Sequence, residues 1–517
     1  MVLSRRLPLL LATAVLCAPS SASAAGLVVV PPSRATAIER LAAEELVRFL
    51  APTTRQPVRL GRAEDMADGY VLVAPRERRA TVLGNEEIEV SSTRWNGRPA
   101  VALAAGPGGI LHGTYRLLEH FGYLFEFSGH RTPAVRDRLP LDGIAIRERP
   151  EVGERGIRMH LNFPMDQSSY SVPEWLEWVD RVARLRLNAL IFHFYAGQPW
   201  VEWEHAGARP LPEDFFAGQF LVKSYVLPPD LPGRDRIANR RRFAPPDLED
   251  MTPSRALYRE ARRRLRLVMR HAQSRGLRCI VALEPFAPRM DRKDADRLAA
   301  RLGSPAAVVE EVAASRVAAL IASYPDADEV QLISVEGSND APADPAARDA
   351  LERELRAHPA LPAEAWAALP RPGAPEHAVT LATLRFVTHG RRILERPAIA
   401  AALRRGGMRT SQSLYLPDPP LLAKLLPAVV RLAPPGGRLH LLPGYGARAV
   451  SDQLPSWDAL RGAPVEVALV TWLEFDGSMF LPQGWTRALH DGAEAASTLP
   501  LAGVYANHWR VSGVEAD

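Results

Sequence analysis

The 517-residue chain has very little cysteine: only Cys17 and Cys279 are present. Cys17 lies in an expected leader peptide, so the mature chain would keep one thiol and no intramolecular disulfide. Cys279 stands inside an apolar run, which is typical of a small buried residue. A hydrophobic content of 47% is enough for a large apolar core, which must then hold the fold.

A strong excess of one charge is also absent. The formal net charge is +5, and Arg5 and Arg6 contribute to it from the expected leader. A net positive charge this small does not indicate nucleic-acid binding.

Long apolar stretches are missing after residue 24, so we expect no membrane span in the mature chain. Residues 1–24 combine a basic start, an apolar centre and small residues at Ala22–Ala24. This pattern is typical of a cleaved secretory signal and predicts a secreted or periplasmic protein.

Cofactor and metal motifs are lacking as well. The turn Gly106–Gly109 precedes a predicted helix but has neither the Lys-Ser/Thr ending of a P-loop nor a dinucleotide fingerprint. We interpret it as a tight turn and predict no cofactor. There is no HExxH motif and no cysteine cluster, so no metal site is predicted.

The pattern of apolar runs predicts two domains in an α/β protein. Residues 26–145 predict a small α/β accessory domain, with strands near Leu27–Val30, Tyr70–Ala74 and Val101–Ala105 and helices over 35–50 and 110–121. Residues 154–517 predict a (β/α)8 barrel of the TIM type. Its eight predicted strands are 155–162, 188–195, 277–284, 329–336, 408–416, 438–443, 465–474 and 502–509. Helices are predicted at 173–186, 254–275, 304–323, 376–404 and 418–431.

The sequence stops soon after the eighth predicted strand, before an eighth helix. Two explanations stay open: the strands are numbered wrongly by one, or the chain is a truncated product. Segments 196–253 and 337–375 are predicted as long insertions at the end of the barrel where substrate loops belong.

Carboxylates follow several of these strands at their C-terminal ends, which is the catalytic end of such a barrel. Glu336 is the predicted general acid, and Glu474 or Asp476 the predicted second carboxylate. Glu284 is a third candidate. Glycoside hydrolysis needs such a pair, because one acid protonates the leaving oxygen while another carboxylate acts as base or nucleophile.

Aromatic and hydrogen-bonding residues accompany the carboxylates and predict contacts with sugar rings and hydroxyls. Arg510 is predicted to bind a uronic carboxylate through its planar guanidinium. The predicted substrate-binding residues are His160, Asn162, His193, Tyr195, Tyr415, Tyr445, Trp472, His508, Trp509 and Arg510.

Three segments occur in a familiar order: ATAIERLAAEELVRFL at 35–50, AAGPGGILHGTYRLLEHFGYLF at 104–125 and RGIRMHLN at 155–162. They resemble the accessory domain and barrel entry of glycoside hydrolases of the α-glucuronidase and β-N-acetylhexosaminidase type. The resemblance implies exo-acting cleavage of a terminal sugar. Hexosaminidases of this type carry an Asp-Glu pair after the fourth strand, whereas Val335 precedes Glu336 here, which favours the α-glucuronidase-like alternative.

The sequence therefore predicts an exo-acting glycoside hydrolase with a carbohydrate substrate. Two alternatives remain: a barrel that binds carbohydrate without catalysis, and a metal-dependent hydrolase using His160, His193, Glu284 and His508. The oligomeric state and the sugar are not predicted.

Overall fold

A computed structural model describes most of the chain beyond the expected leader. The described residues are 26–74, 83–161, 167–195, 197–211, 215, 229, 244–286, 289–334, 344–415, 419–434, 436–444, 457, 460–473 and 486–508. The signal segment and Cys17 lie outside them.

The N-terminal part is a six-stranded sheet in the order β2-β1-β3-β5-β4-β8, with β4 antiparallel to both of its neighbours. Its strands are β1 (Leu27–Val30), β2 (Val58–Leu60), β3 (Gly69–Val73), β4 (Ile88–Trp95), β5 (Arg98–Ala105) and β8 (Ala145–Glu148), and β6 (Leu124–Glu126) pairs with β7 (Gly129–Arg131). Helices α1 (Ala37–Leu50) and α2 (Ile110–His120) pack with them around one apolar core. A side chain at Gly106 would collide with the carbonyl oxygen of Gly84, so this glycine serves close backbone packing.

The second part is a closed parallel barrel in the order β10-β11-β12-β13-β14-β15-β16-β9. Its strands are β9 (Glu154–Met159), β10 (Ala189–Phe194), β11 (Arg278–Leu283), β12 (Glu329–Ile333), β13 (Arg409–Tyr415), β14 (Arg438–Leu442), β15 (Glu466–Trp472) and β16 (Gly503–Asn507). Each coincides with one of the eight predicted strands, so the predicted fold class is confirmed.

Helices lie between the barrel strands and in the long connections. They are α3 (Val172–Arg184), α4 (Arg255–Ser274), α5 (Arg292–Leu302), α6 (Pro305–Ser323), α7 (Pro345–Arg356), α8 (Ala363–Ala367), α9 (His377–Leu394), α10 (Pro397–Gly406), α11 (Pro419–Leu432) and α12 (Thr486–Ser497). The single helix predicted over 376–404 was wrong: Pro397 starts a new helix, because proline fits the first turn but not a helix interior.

Alternation along each strand divides the barrel core in two. One face contacts the surrounding helices in the largest apolar cluster, and Cys279 lies there, fully buried as predicted. The inward face forms a smaller separate cluster with Ile191, Ile280, Val470 and Trp472 among its members. Residues two apart on a strand share a face, so the inward series on each strand can be followed to its C-terminal end.

Paired charges close the N-terminal end of the barrel, which we call the floor. Glu154 accepts hydrogen bonds from Arg438 Nη1 at 2.5 Å and from the Tyr505 hydroxyl at 2.7 Å, and it also pairs with Arg278. Glu329, fully buried, accepts from Arg278 at 2.9 Å. Burial alone would raise the pKa of Glu154, but the hydrogen bond from Arg438 and the charge of Arg278 outweigh it and lower that pKa.

The outer face of β9 and β16 adjoins an apolar groove of about 590 Å³. Leu185, Leu187, Ala496, Val504 and Ala506 are among the residues that line it. Among the described residues no helix follows β16. None of the described helices is both long and apolar enough to cross a membrane.

The two parts of the molecule meet through polar contacts around Glu86. Its carboxylate accepts from Arg155 Nη2 at 2.6 Å and from Asn188 Nδ2 at 2.7 Å. Arg155 lies on β9 and Asn188 directly precedes β10, so this one glutamate ties the accessory sheet to the entry of the barrel.

Candidate functional site

The C-terminal end of the barrel, which we call the mouth, brings together several predicted site residues: His160, His193, Tyr195, Glu284, Tyr415 and Trp472. They lie at the C-terminal ends of five barrel strands, β9, β10, β11, β13 and β15, and all but Tyr195 are at least nine-tenths buried. The remaining predicted site residues, apart from His508, lie outside the described residues; these are Glu336, Glu474, Asp476, Asn162, Tyr445, Trp509 and Arg510.

Glu284 follows β11 and faces His193 at the end of β10. The His193 Nε2 lies 3.5 Å from Glu284 Oε1. Behind them, the buried Arg316 donates to the carbonyl oxygen of Pro285 at 2.7 Å. Burial lowers the pKa of Arg316 to about 10, and the negative charge of Glu284 opposes that shift. The carboxylate is therefore positioned between a histidine and an arginine.

The protonation of His193 follows from its other neighbour. Arg158 Nη2 lies 3.0 Å from His193 Nδ1, and a guanidinium can only donate, so Nδ1 is the acceptor. Burial, and then the charge of Arg158, hold the pKa of His193 well below its usual range. The neutral ring thus carries its proton on Nε2, the nitrogen that faces Glu284.

His160 is fixed in the same way by its own partner. Its Nδ1 lies 2.6 Å from the Tyr195 hydroxyl, and burial together with the Arg158 charge lowers its pKa well below the usual range. The backbone N–H of Tyr195 donates to Gln198 Oε1 at 3.1 Å, which anchors the loop after β10. The residue after His160, Leu161, has a φ of +46°, a strained conformation often found at functional sites.

Aromatic rings surround these groups. The Trp472 ring lies 5.7 Å from that of His160, and the Tyr195 ring stacks on His193 at 4.2 Å. Tyr415 ends β13, where its backbone N–H donates to the Ser334 hydroxyl at 2.9 Å. A site with a carboxylate, neutral imidazoles and aromatic faces can bind the hydroxyls and apolar faces of a sugar.

His508 lies apart from this group. Its ring stacks on Phe127 at 5.0 Å and lies parallel to Trp178 at 6.2 Å. Trp178 belongs to the apolar layer outside the barrel. The inward series on β16 passes through Tyr505 and Asn507, so strand alternation sends His508 to the outer side.

Two residues of the site were not predicted from the sequence. Arg158 is fully buried on the inward face of β9 and its guanidinium lies 5.7 Å from the centre of the Tyr415 ring. Asn507 is fully buried and acts on His160, whose pKa it raises against the larger, opposite effect of burial. Arg158 stands two residues before His160 in the same inward series, and that spacing was the signal available in the sequence.

The described part of the chain holds no recognisable metal site. No group of three histidine, cysteine, aspartate or glutamate residues there could hold a metal ion. His160, His193 and Glu284 are near one another, but His508 is directed elsewhere.

Comparison with protein-family models finds no match, and comparison with curated proteins finds none either. Among solved structures, the chain is similar to a GH138 enzyme targeting pectin rhamnogalacturonan II (12% identity, TM-score 0.48), covering 93% of this chain and 46% of that one. It is also similar to the GH20 β-N-acetylhexosaminidase from Streptomyces coelicolor A3(2) (15% identity, TM-score 0.48), covering 95% of this chain and 83% of that one.

A third similar structure is the GH20 exo-β-N-acetylglucosaminidase from Vibrio harveyi in complex with N-acetylglucosamine (12% identity, TM-score 0.46), covering 94% of this chain and 66% of that one. The present chain spans less than half the length of the GH138 enzyme. At these identities the similarity is distant, and it assigns neither a sugar nor a catalytic residue.

Proposed function

We propose that this protein is an exo-acting glycoside hydrolase that removes a terminal sugar at the mouth of its barrel. The observation that carries the proposal is the buried pair of His193 and Glu284, with Nε2 3.5 Å from Oε1, at the end of the barrel where catalytic residues belong. A neutral histidine that directs its N–H towards a carboxylate orients that carboxylate without adding charge.

Hydrolysis needs a second carboxyl group. We assign the general acid to Glu336 and the second carboxylate to Glu474 or Asp476, on the strength of their places after the fourth and seventh barrel strands. Glu284 is the further candidate for either role. Trp472 and Tyr195 supply aromatic surface for the sugar ring, while His160 supplies hydrogen bonding to its hydroxyls.

The finer proposal concerns the sugar. An α-glucuronidase-like activity fits the sequence better than a hexosaminidase-like one, because Val335 stands where the Asp of the hexosaminidase pair is expected. Secretion or export to the periplasm is part of the same proposal and rests on residues 1–24.

The test is hydrolysis of a panel of aryl glycosides and oligosaccharides capped with a uronic acid. Wild type is compared with Glu336→Gln, Glu284→Gln and Glu474→Gln at equal concentrations of folded protein. We expect turnover of at least one substrate, and a loss of about 10²–10⁴-fold in the variant that lacks the acid.

Each outcome decides a different point. If Glu336→Gln keeps full turnover while Glu284→Gln loses it, the acid is Glu284. If folded wild type hydrolyses nothing but binds sugars, the barrel is a carbohydrate-binding protein and the proposed activity is wrong. Turnover that disappears with a chelator and returns with a metal ion would make it a metal-dependent hydrolase.

A further inference from the structure

Arg158 carries a buried positive charge that its described surroundings do not neutralise. The side chain is fully buried, and its Nη2 donates to His193 Nδ1 at 3.0 Å. Its Nε and Nη1 atoms are buried and have no hydrogen-bond partner. Among the described residues, no carboxylate forms an ion pair with this guanidinium, in contrast to Arg438 on the floor, which pairs with Glu154 and Glu466.

Such an arrangement is unfavourable in the isolated protein. A guanidinium stays charged at any pH the protein meets, so it does not escape the cost of burial by losing a proton. The Tyr415 ring, 5.7 Å from the guanidinium carbon, offsets only part of that cost. The two orphaned nitrogens are out of reach of bulk water and have no partner among the described residues, so we expect a bound group to complete the site.

The histidines near Arg158 neither add to its positive charge nor compensate it. His160, His193 and His440 are all fully buried, and burial, the largest cause, holds the pKa of each below its usual range. They are therefore neutral and add no second positive charge. Nor do they compete with an anion for the guanidinium as carboxylates would.

Further hydrogen-bonding capacity lies on the facing strands. Gln331 Oε1 and Ser413 Oγ, which belong to the inward series of β12 and β13, are buried atoms without a partner. Buried polar atoms without a partner on the inward faces of neighbouring strands are unusual in a barrel that serves only as a packed core. They are expected where a polar ligand completes the network.

We propose that Arg158 binds the carboxylate of an acidic terminal sugar, so that the carboxylate points down into the barrel rather than out to the rim. Nη2 donates one hydrogen to His193, and its second hydrogen forms a fork with the orphaned N–H of Nε or of Nη1. A guanidinium binds a carboxylate through such a two-point fork. This inference rests on the proposed function and makes Arg158 the residue that sets its specificity. It assigns the role to a residue inside the barrel mouth, whereas the sequence alone suggested Arg510.

The test measures binding rather than turnover. Thermal stabilisation and calorimetry of the full chain are recorded with glucuronate, with its neutral amide glucuronamide, with glucose, and with sulfate and phosphate. We expect glucuronate to bind at least roughly tenfold more tightly than glucuronamide, the difference between a charged and a neutral partner for one guanidinium.

Two lysine substitutions on the same strand form a matched pair. Arg158→Lys keeps the charge but loses the planar fork, and should lose most of the discrimination; Arg158→Met should lose all of it. Arg155→Lys lies on the opposite face of β9, against Glu86, and should keep the wild-type discrimination. Equal binding of glucuronate and glucuronamide by wild type would overturn the proposal, as would unchanged discrimination in Arg158→Met.

Other outcomes separate this inference from the proposed function. Binding of sulfate and phosphate as tight as that of glucuronate would show a simple oxyanion site and overturn the sugar carboxylate. Glucuronate binding that depends on Arg158, without hydrolysis of any glycoside, would sustain this site and remove the hydrolase. Hydrolysis of neutral glycosides, with no preference for acidic ones, would support the hydrolase and overturn the carboxylate site.

Discussion

The floor and the mouth of the barrel use buried polar groups in opposite ways. On the floor, Glu154 and Glu329 are each met by arginines and hydroxyls, including Arg438 and Tyr505. At the mouth, Arg158 keeps N–H groups that have no partner among the described residues. Complete pairing is what a structural network requires, whereas unmatched polar groups cost stability unless a ligand completes them. The difference indicates that the floor holds the barrel together and that the mouth is built for a ligand.

The largest effect we expect is the loss of stability when the floor is broken. Glu154→Gln removes the charge that Arg278, Arg409 and Arg438 share. Leaving the buried Arg438 without this carboxylate should lower the free energy of unfolding by about 3–5 kcal/mol. Denaturant unfolding at neutral pH measures it.

Glu466→Gln is the matched control for that change, because Glu466 also pairs with Arg438 but its side chain is 59% exposed. Its loss should cost less than about 1 kcal/mol. Equal losses in the two variants would mean that the buried pairing of the floor is not what stabilises the barrel.

The second effect is a loss of catalytic activity when a carboxylate at the mouth is removed. Glu284→Gln removes the carboxylate that faces His193, and we expect kcat/KM to fall by about 10²–10⁴-fold on the substrate that the glycoside panel identifies. The free energy of unfolding should change little. Glu466→Gln, at the other end of the barrel, should keep wild-type kcat/KM; a comparable loss there would erase the contrast between the two ends.

The third effect is a dependence of stability on pH that both ends share. Burial is the largest cause that lowers the pKa values of His160, His193 and His440, the last to about 3. Because the unfolded chain binds these protons first, the stability that the neutral rings provide is full above pH 6.5 and is lost as the pH falls below it. Each histidine should contribute a slope of about 1.4 kcal/mol per pH unit.

Unfolding free energies at pH 7.5, 6.5, 6.0 and 5.5 measure that slope. In this range Glu154 stays ionised, because its stabilising effect is lost only below its ordinary pKa of 4.5. His440→Asn should reduce the slope by one histidine's share. A flat profile in wild type would contradict the neutral state of these rings.

The smallest effect separates the hydroxyl groups of two tyrosines. Tyr195→Phe removes the hydroxyl bonded to His160, and should raise KM about fivefold, the equivalent of one hydrogen bond of about 1 kcal/mol. Tyr505→Phe removes the hydroxyl bonded to Glu154, and should lower stability with KM unchanged. Kinetics and unfolding on both variants test the pair, and a reversed pattern would exchange the roles of the two ends.

Much of the fold could be predicted from the sequence because buried parallel strands leave long apolar runs. The runs at 188–195 and 277–284, for example, became β10 and β11. Helix α5 (Arg292–Leu302) was missed because it is highly charged and buries only Leu298 fully. Strand β4 was missed because only Ile88 and Val90 of its residues are buried, which leaves a weak apolar pattern.

The site was less accessible to prediction. His193 and Glu284 stand at strand ends and could be recognised by position. The spacing of two residues between Arg158 and His160 indicates that both face inward, but the run RGIRMHLN does not reveal whether the charge of Arg158 is paired with a carboxylate. Whether His508 faces inward or outward could not be predicted without the register of β16, because a shift of one residue moves every side chain to the other face.

The most direct test of the contrast is the thermal unfolding midpoint of two matched variants, Arg158→Met and Arg438→Met, measured without ligand. Removing the paired floor arginine should lower the midpoint by several degrees. Removing the unpaired mouth arginine should leave it unchanged or raise it, because an uncompensated buried charge disappears. If both variants lose stability equally, Arg158 is a structural residue and the mouth is not built around an unpaired charge.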